Sequence, residues 1–225
     1  MRARLLRTGP LPRLTMIAAA LLMTLGVVTA VPTPASAAVT LCDVELEYGE
    51  SGSCVERLQK RLNELGLNCG NQLAADGVFG EATHDRVLAF QGRNRLKLTG
   101  VVGSVTRAKL ADPDEGLAVT CLSGVRDQIR AVFAAADEDD ALIIARCESA
   151  YNPLAIGINT NGTMDIGVFQ FNTGGTLQAY MPGSTLAAQI DSALHSDTNI
   201  HAAFELHRDD GDWGAWSCRD QLSNG

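Results

Sequence analysis

The sequence predicts a mainly α-helical protein of the α+β class, built from two small helical units and one short β-hairpin. Three observations lead to this prediction. Apolar residues recur at helical spacing in several segments, a glycine turn occurs twice within residues 41–110, and an Asn-Gly pair interrupts an alternating segment in the second half. Helical periodicity and hairpin turn chemistry are the local patterns that distinguish these two kinds of element. A chain of 225 residues is long enough for one or two domains.

Residues 1–37 have the pattern of a secretory signal peptide. Four arginines and no acidic residue lie in its N-terminal part, followed by an apolar run from Met16 to Val28 and a small-residue cleavage signal at Ala35-Ser36-Ala37. The apolar run is too short to span a membrane in the mature protein. We therefore expect an exported chain that begins near Ala38 and has no membrane contact after this segment is removed.

The mature chain is expected to be strongly acidic. Without the first 37 residues it keeps 14 basic and 26 acidic residues, which is a net charge of −12. Such a charge does not attract nucleic acid or an anionic polymer. We expect no nucleic-acid partner, and an anionic target would have to be captured by a dedicated binding surface.

The six cysteines all follow the predicted signal peptide, at Cys42, Cys54, Cys69, Cys121, Cys147 and Cys218. An even number in an exported chain favours three disulfides. No Cys-x-x-Cys pair is present, and three histidines in the second half are spaced by six residues, which does not align them on one helix face. We therefore expect neither a metal site nor a cofactor.

The first four cysteines allow three pairings. A helix from Cys54 to Leu65 followed by four extended residues brings Cys69 just within disulfide reach of Cys54. This reach favours Cys54–Cys69, with Cys42–Cys121 as the second bridge.

An internal repeat characterises the predicted first domain, residues 38–112. The pattern x-Gly-Val-x-Gly-x-x-Thr occurs at residues 76–83 and again at residues 99–106, and a helix is expected after each copy. The glycines permit the positive φ of a tight turn, and the apolar residue between them anchors the turn to a core. An apolar stripe upstream (Val55, Leu58, Leu62, Leu65) predicts one more helix. The pattern therefore predicts a three-helix bundle.

This segment resembles the peptidoglycan-binding domain that accompanies many bacterial cell-wall hydrolases. The resemblance is carried by Gly52, Val55, Leu58-Gln59, Leu62-Asn63, Leu65-Gly66, Asp76-Gly77, Phe79-Gly80, Thr83, Val87, Phe90-Gln91, Leu96, Gly100 to Gly103, Thr106 and Leu110. It implies peptidoglycan as a partner. A helical spacer without a ligand is the alternative interpretation.

Residues 113–123 are rich in acids and turn formers and are expected to form a linker. The predicted second domain, residues 124–225, contains several helical segments and a hairpin whose turn is Asn161-Gly162. The helix that precedes the hairpin ends near Glu148, and Asp165 lies on the return strand seventeen residues later. Two acids in contrasting environments are what cleavage of a glycosidic bond requires. We expect Glu148, beside an apolar helix, to hold a proton, and Asp165, among polar groups, to be ionised.

The stretch from Glu148 to Asn172 looks like the c-type lysozymes, whose E-S-x-[FY]-N…N-T-x-G-x-x-D-x-G-x-x-Q-x-N pattern aligns without a gap. The resemblance implies a lysozyme-like helical domain with Glu148 as general acid and Asp165 as nucleophile or electrostatic partner. It also implies that the amides of Asn159, Gln170 and Asn172 contact sugar. By the same analogy Trp213 packs beside Glu148, and a Cys147–Cys218 disulfide ties the two segments together.

The family likeness is incomplete. The domain is short, Ile166 stands where the family has Tyr, and the loop after Asn172 lacks an aromatic sugar platform. Glu148-Ser149, Gly167-x-x-Gln170 and Asn199-Ile200 also fit lytic transglycosylases and resuscitation-promoting factors, which need only the glutamate. The sequence thus predicts a secreted, cell-wall-associated, monomeric muramidase that cleaves the β-1,4 bond between N-acetylmuramic acid and N-acetylglucosamine. A lytic transglycosylase and a non-catalytic wall-binding protein are the alternatives.

Overall fold

The computed structural model describes residues 40–67, 72–113 and 122–224 of the chain. The predicted signal peptide, most of the predicted linker, Cys69 and Cys121 lie outside these residues. The described residues belong to one compact unit that begins at Val39, and none of their helices is long and apolar enough to cross a membrane. The boundaries at residues 113–123 therefore stay a prediction.

Helices dominate the described residues, and a small antiparallel sheet lies in the second half, which confirms the predicted fold class. The first part contains α1 (Ser53–Glu64), α2 (Glu81–Arg93) and α3 (Ser104–Ala111). The second part contains α4 (Leu122–Val132), α5 (Glu138–Ser149), β1 (Ile156–Ile158), β2 (Met164–Ile166), β3 (Phe171–Asn172), α6 (Thr176–Tyr180), α7 (Leu186–Ala193), α8 (Ser196–Asp210) and a C-terminal 3₁₀ helix (Ser217–Asn224). The hairpin was predicted, whereas β3, which follows a turn at residues 167–170, and the short α6, which follows Gly174-Gly175, were not.

The first glycine turn is held by a glutamine from the preceding helix. Buried Gln59 of α1 donates from Nε2 to the Val78 carbonyl at 3.0 Å and to Thr83 Oγ1 at 3.1 Å. Its Oε1 accepts the Gly77 N–H at 2.9 Å, and Gly77 has a φ of 73°. The positive φ requires glycine, and the amide satisfies backbone groups that would otherwise be buried without partners.

The second turn repeats this arrangement with buried Gln91 of α2. Its Nε2 donates to the Val101 carbonyl at 2.9 Å and to Thr106 Oγ1 at 3.1 Å, and its Oε1 accepts the Gly100 N–H at 3.0 Å. The sequence repeat is therefore a repeat of one hydrogen-bonded device, and each copy fixes the start of the next helix.

The sheet has the order β1-β2-β3, with β1 at an edge. Its register pairs Ile156 with Ile166, Gly157 with Asp165 and Ile158 with Met164. Because side chains alternate along a strand, Asp165 faces one side of the hairpin while Ile158 and Met164 face the other. The two faces of this hairpin therefore carry different chemistry.

Helices α2 and α7 join the two parts of the chain at close range. A Cβ placed on Gly92 of α2 would lie 2.5 Å from Leu194 Cδ1 and 3.3 Å from Ile190 Cγ2. Only glycine lets these side chains approach the α2 backbone without a shift. The contact makes the first part a packing partner of the second.

An ion cluster centred on Asp191 lies beside this contact. Asp191 accepts from Arg95 Nε at 2.9 Å, and its carboxylate lies 3.4 Å from Arg93 Nε and 3.6 Å from His195 Nε2. Burial alone would raise the pKa of Asp191, but the hydrogen bonds of His195 and Arg95 outweigh it and hold that pKa below its ordinary value. Burial lowers the pKa of Arg93 despite its contact with Asp191. The cluster therefore places paired charges between the two parts of the fold.

Two disulfides lie within the described residues: Cys147–Cys218, as predicted, and Cys42–Cys54, which corrects the predicted Cys42–Cys121 and Cys54–Cys69 pairs. Cys54 lies in the first turn of α1, and a turn at Tyr48-Gly49 brings the preceding segment back beside it, so the Cα atoms of Cys42 and Cys54 are 5.6 Å apart. The prediction considered only the chain after Cys54, where Cys69 is close in sequence, whereas the reversal that supplies the partner lies before Cys54.

Candidate active site

Glu148 and Asp165 line the same cleft, which has a volume of about 190 Å³. The cleft runs between the end of α5, the hairpin face that carries Asp165, and the segment before the 3₁₀ helix. Gln170, Asn172, Trp216 and Ser217 also line it. These two acids are the only charged side chains in the lining. A carboxylate in such a cleft can stabilise positive charge that develops on a bound molecule.

The Glu148 carboxyl group is oriented by two donors. Its Oε1 accepts from Ser217 Oγ at 3.0 Å and from the Cys218 N–H at 3.1 Å. Within the described residues Oε2 has no hydrogen-bond partner. The side chain is half-buried in the last turn of α5. One oxygen is thus fixed by the protein, and the other is available to a ligand.

The Cys147–Cys218 disulfide reinforces this arrangement. Cys147 directly precedes Glu148, and Cys218 supplies the backbone N–H that binds the Glu148 carboxyl group. The covalent bridge therefore links the acid to its own donor across 71 residues of sequence. A closure of this length contributes about 4 kcal/mol of stability in the chain-entropy description.

Asp165 is held by two asparagine amides. Asn159 Nδ2 donates to Oδ2 at 2.8 Å, and Asn172 Nδ2 donates to Oδ1 at 2.6 Å. Both amides also donate to Thr163 Oγ1 at 3.1 Å, so the four side chains form one network. Asn159 comes from the turn after β1 and Asn172 from β3. The network therefore fixes the position of Asp165 from both neighbouring segments.

The hairpin carrying Asp165 is anchored to the core by buried Asn199 of α8. Its Nδ2 donates to the carbonyls of Ile166 at 3.1 Å and Ala193 at 2.9 Å, and its Oδ1 accepts the Phe169 N–H at 2.8 Å. Gly167, with a φ of 81°, lets the backbone approach Asn199, since a Cβ there would lie 2.3 Å from Nδ2. Asn199 thus supports the fold of the site.

Gln170 adopts a backbone conformation that is uncommon for its residue type. Its φ is 51°, and its Nε2 donates to the Gly167 carbonyl at 2.7 Å. Non-glycine residues in this region store strain and are found disproportionately at functional sites. The hydrogen bond holds Gln170 at the cleft wall.

The tryptophan at the cleft is not the one that the sequence analogy placed beside Glu148. Trp216 lines the cleft with Glu148, and its Nε1 donates to the Phe169 carbonyl at 2.9 Å. Trp213 does not line the cleft: it stacks on His207 with ring centroids 4.2 Å apart and packs against Phe133. Both tryptophans are buried, and Trp216 is the one that lines the cleft, together with Phe169 and Phe171.

The structure brings together Glu148, Asp165, Gln170 and Asn172, and places Asn159 behind Asp165. Sequence reasoning missed Thr163, Trp216 and Ser217 as parts of the site. Thr163 lies two residues before Asp165, so the alternation of side chains along the strand already predicts that both face the same side of the hairpin. No local pattern predicts the contact of Ser217 with Glu148, because that contact depends on how the C-terminal segment folds back. No group of three potential ligands that could hold a metal ion occurs among the residues that the structure describes.

A known family matches a segment in the first part of the chain. Residues 51–110 match the family described as "Putative peptidoglycan binding domain". This match supports a peptidoglycan-binding domain in that segment. No curated protein matches the chain.

Two solved structures are similar to the chain over part of its length. One is a fused Zn-dependent amidase/peptidase/peptidoglycan-binding domain-containing protein from Clostridium acetobutylicum, with 23% identity and a TM-score of 0.31 over 56% of this chain and 57% of that one. The other is the Burkholderia AP3 phage endolysin, with 18% identity and a TM-score of 0.28 over 75% of this chain and 84% of that one. At these TM-scores neither likeness carries an argument about this chain.

Proposed function

We propose that the protein is a secreted muramidase, a peptidoglycan hydrolase that cleaves the β-1,4 bond between N-acetylmuramic acid and N-acetylglucosamine. The observation that carries the proposal is the shared cleft of Glu148 and Asp165, in which one acid keeps a free oxygen and the other is fully hydrogen-bonded. The match at residues 51–110 supports peptidoglycan as the polymer that is bound.

Glu148 is the proposed general acid. Its unbonded oxygen can donate a proton to the glycosidic oxygen, so that the C–O bond breaks and the leaving sugar departs as an alcohol. Water then adds to the anomeric carbon and returns its proton to Glu148. Ser217 and Cys218 hold the carboxyl group in one orientation during both transfers, which keeps its reactive oxygen directed at the sugar.

Asp165 is the proposed partner of the developing positive charge. The amides of Asn159 and Asn172 donate to its two oxygens and hold the carboxylate in one position. A fixed anion near the anomeric carbon lowers the energy of an oxocarbenium-like transition state. The proposed sugar contacts of Gln170 and Asn172 follow from their place in the cleft lining.

A lytic transglycosylase is the second candidate, and one observation favours it. Both oxygens of Asp165 already accept a short hydrogen bond, which makes this carboxylate less available as a nucleophile. In that reaction the 6-hydroxyl of the muramic residue attacks its own anomeric carbon and gives its proton to Glu148, and an anhydro sugar replaces the reducing end.

The products of a peptidoglycan digest distinguish the two reactions. We expect purified peptidoglycan treated with the protein to release fragments with reducing muramic ends, and Asp165→Asn to lower their yield about a hundredfold. Mass spectrometry separates the two products, since the anhydro fragment is lighter by one water. Anhydro ends at a rate that Asp165→Asn leaves unchanged would replace the hydrolase with the transglycosylase.

A further inference from the structure

A second groove lies on the other face of the same hairpin. Its volume is about 590 Å³, and it runs between the segment after α2, the edge strand β1 and the start of α7. Leu98, Ile158, Met164 and Leu186 provide much of its apolar wall, and Arg95 and Lys97 lie on one side. It shares no lining residue with the cleft of Glu148 and Asp165. It is therefore a separate site, and residues from both parts of the chain form it.

The charge of this groove is opposite to that of the protein. Its lining includes two cations and no acid, although the chain carries a net charge of −8. Lys97 is exposed and has no partner among the described residues. Arg95 donates to Asp191 through Nε, yet its side chain is 63% exposed. A local positive field on an acidic protein favours an anionic ligand.

The apolar wall is unusually open to solvent. Ile158 is 60% exposed and Leu186 is 45% exposed, and they are two of the six large hydrophobic side chains exposed within the described ranges. Single exposed apolar residues are ordinary, but two that line one groove beside cations indicate a ligand with an apolar part and an anionic part.

The unpaired backbone groups at the edge of β1 indicate which class of ligand the groove binds. Asn159 N–H donates to the Thr163 carbonyl and Gly167 N–H donates to the Ala155 carbonyl, so the hydrogen-bonded pairs of the ladder fall at Asn159, Gly157 and Ala155. Ile156 and Ile158 therefore point their N–H and C=O groups away from β2. Within the described residues these groups have no hydrogen-bond partner.

We propose that this groove binds the peptide stem of peptidoglycan as an extended strand added to the edge of β1. A short stem peptide supplies backbone groups for Ile158, small methyl side chains for the apolar wall, and carboxylates for Lys97 and Arg95. A lipid would satisfy the charge and the apolar wall but not the open strand edge. The inference rests on the proposed peptidoglycan target: the glycan occupies one face of the hairpin, and the peptide occupies the other.

Calorimetry with two probes tests this proposal. One probe is the soluble stem tetrapeptide with a free C-terminal carboxylate, and the other is the same peptide with an amidated C-terminus. We expect the free acid to bind the native protein about fivefold more tightly than the amide, which is the ratio expected for one exposed charge pair. Failure of both probes to bind at millimolar concentration would overturn the proposal.

Two variants locate the binding. Lys97→Glu is expected to remove the preference for the free acid, whereas Lys60→Glu makes the same charge change on α1 outside the groove and should retain it. Ile158→Pro removes the outward N–H and part of the apolar side chain at a position where an edge strand tolerates proline, and it is expected to weaken both probes about fivefold. Ile158→Val keeps the N–H and should bind normally. Thermal melts confirm that each variant is folded.

The outcomes separate this inference from the proposed cleavage. Glu148→Gln should bind the stem peptide as the native protein does, since the two sites share no lining residue. Cleavage of glycan without peptide binding overturns this proposal alone, and peptide binding without cleavage overturns the hydrolase alone. Binding of phosphatidylglycerol vesicles in place of the peptide would assign the groove to lipid.

Discussion

The glycine turns of the first part and the cleft of the second part use side-chain amides in opposite ways. Gln59 and Gln91 use both ends of their amides on groups of the following turn, namely its backbone, its threonines and, for Gln59, the carboxylate of Asp76. Asn159 and Asn172 instead donate to Asp165, whose carboxylate lines an open cleft. The first use builds a fold, and the second positions a charge.

This difference indicates how the two kinds of residue can be told apart. An amide that is buried and saturated by backbone groups has no capacity left for a ligand. Asn199 belongs to this class although it lies near the cleft. A carboxyl group that lines an open cleft, as those of Glu148 and Asp165 do, remains available for chemistry. The comparison supports the proposed catalytic roles of Glu148 and Asp165 and a structural role for the two glutamines.

The largest expected effect comes from the ion cluster that connects the two regions. Asp191→Asn leaves the side chain of Arg93 buried beside a neutral amide, and we expect the free energy of unfolding to fall by about 3 kcal/mol. Urea unfolding at pH 7 measures this loss. Asp197→Asn on the exposed face of α8 is the matched control and should be nearly neutral.

The same variant has a pH signature. Because the pKa of Asp191 is lowered in the folded protein, its contribution is complete above its ordinary value of 3.8 and is lost as the pH falls through the folded value. The difference between native protein and variant should therefore be full at pH 7 and shrink below about pH 3.8. A difference that stays constant through this range would contradict the ion-pair explanation.

The next effect tests the structural side of the comparison. Gln59→Leu or Gln91→Leu leaves turn backbone groups buried without partners, and each should lower the free energy of unfolding by about 2 kcal/mol. Glycan cleavage per folded molecule should not change. Gln221→Leu, at an exposed position of the 3₁₀ helix, is the control. Equal stability of all three variants would remove the proposed role of the two amides.

The smallest effect tests the functional side. Asn159→Ala removes one donor from Asp165, and we expect kcat/KM for peptidoglycan fragments to fall about tenfold while stability changes by less than about 1 kcal/mol. Asn152→Ala deletes an amide outside the cleft and should leave kcat/KM unchanged. A loss of stability with unchanged kcat/KM would place Asn159 in the same class as the glutamines.

Local patterns predicted much of this fold because they depend on neighbouring residues. The glycine turns, the hairpin at Asn161-Gly162 and the helix that carries Glu148 in its last turn all follow from turn chemistry or periodicity. β3 was missed because a strand of two residues has too little pattern to identify it. The Cys42–Cys54 bridge was missed because it depends on a chain reversal that the cysteine spacing does not encode.

The candidate site was predictable in the hairpin and not at the C-terminus. Asp165 and its amides lie within fourteen residues of one another, so one local motif contains them. Ser217 and Trp216 reach Glu148 only through the fold of the whole second part, and the sequence analogy favoured Trp213 in their place. Both tryptophans are buried, and stacking on Phe133 and His207 keeps Trp213 away from the cleft lining.

Glycan cleavage by Glu148→Gln tests the central claim most directly. The amide keeps the shape of the side chain but cannot donate the acidic proton. We predict that release of glycan fragments from peptidoglycan falls at least a hundredfold, while binding to cell-wall sacculi in a pull-down and the unfolding midpoint stay at their native values. Release at the native rate by this variant would contradict the assignment of Glu148 as the acid, and a native protein that binds sacculi but never releases fragments would leave a wall-binding protein without catalysis.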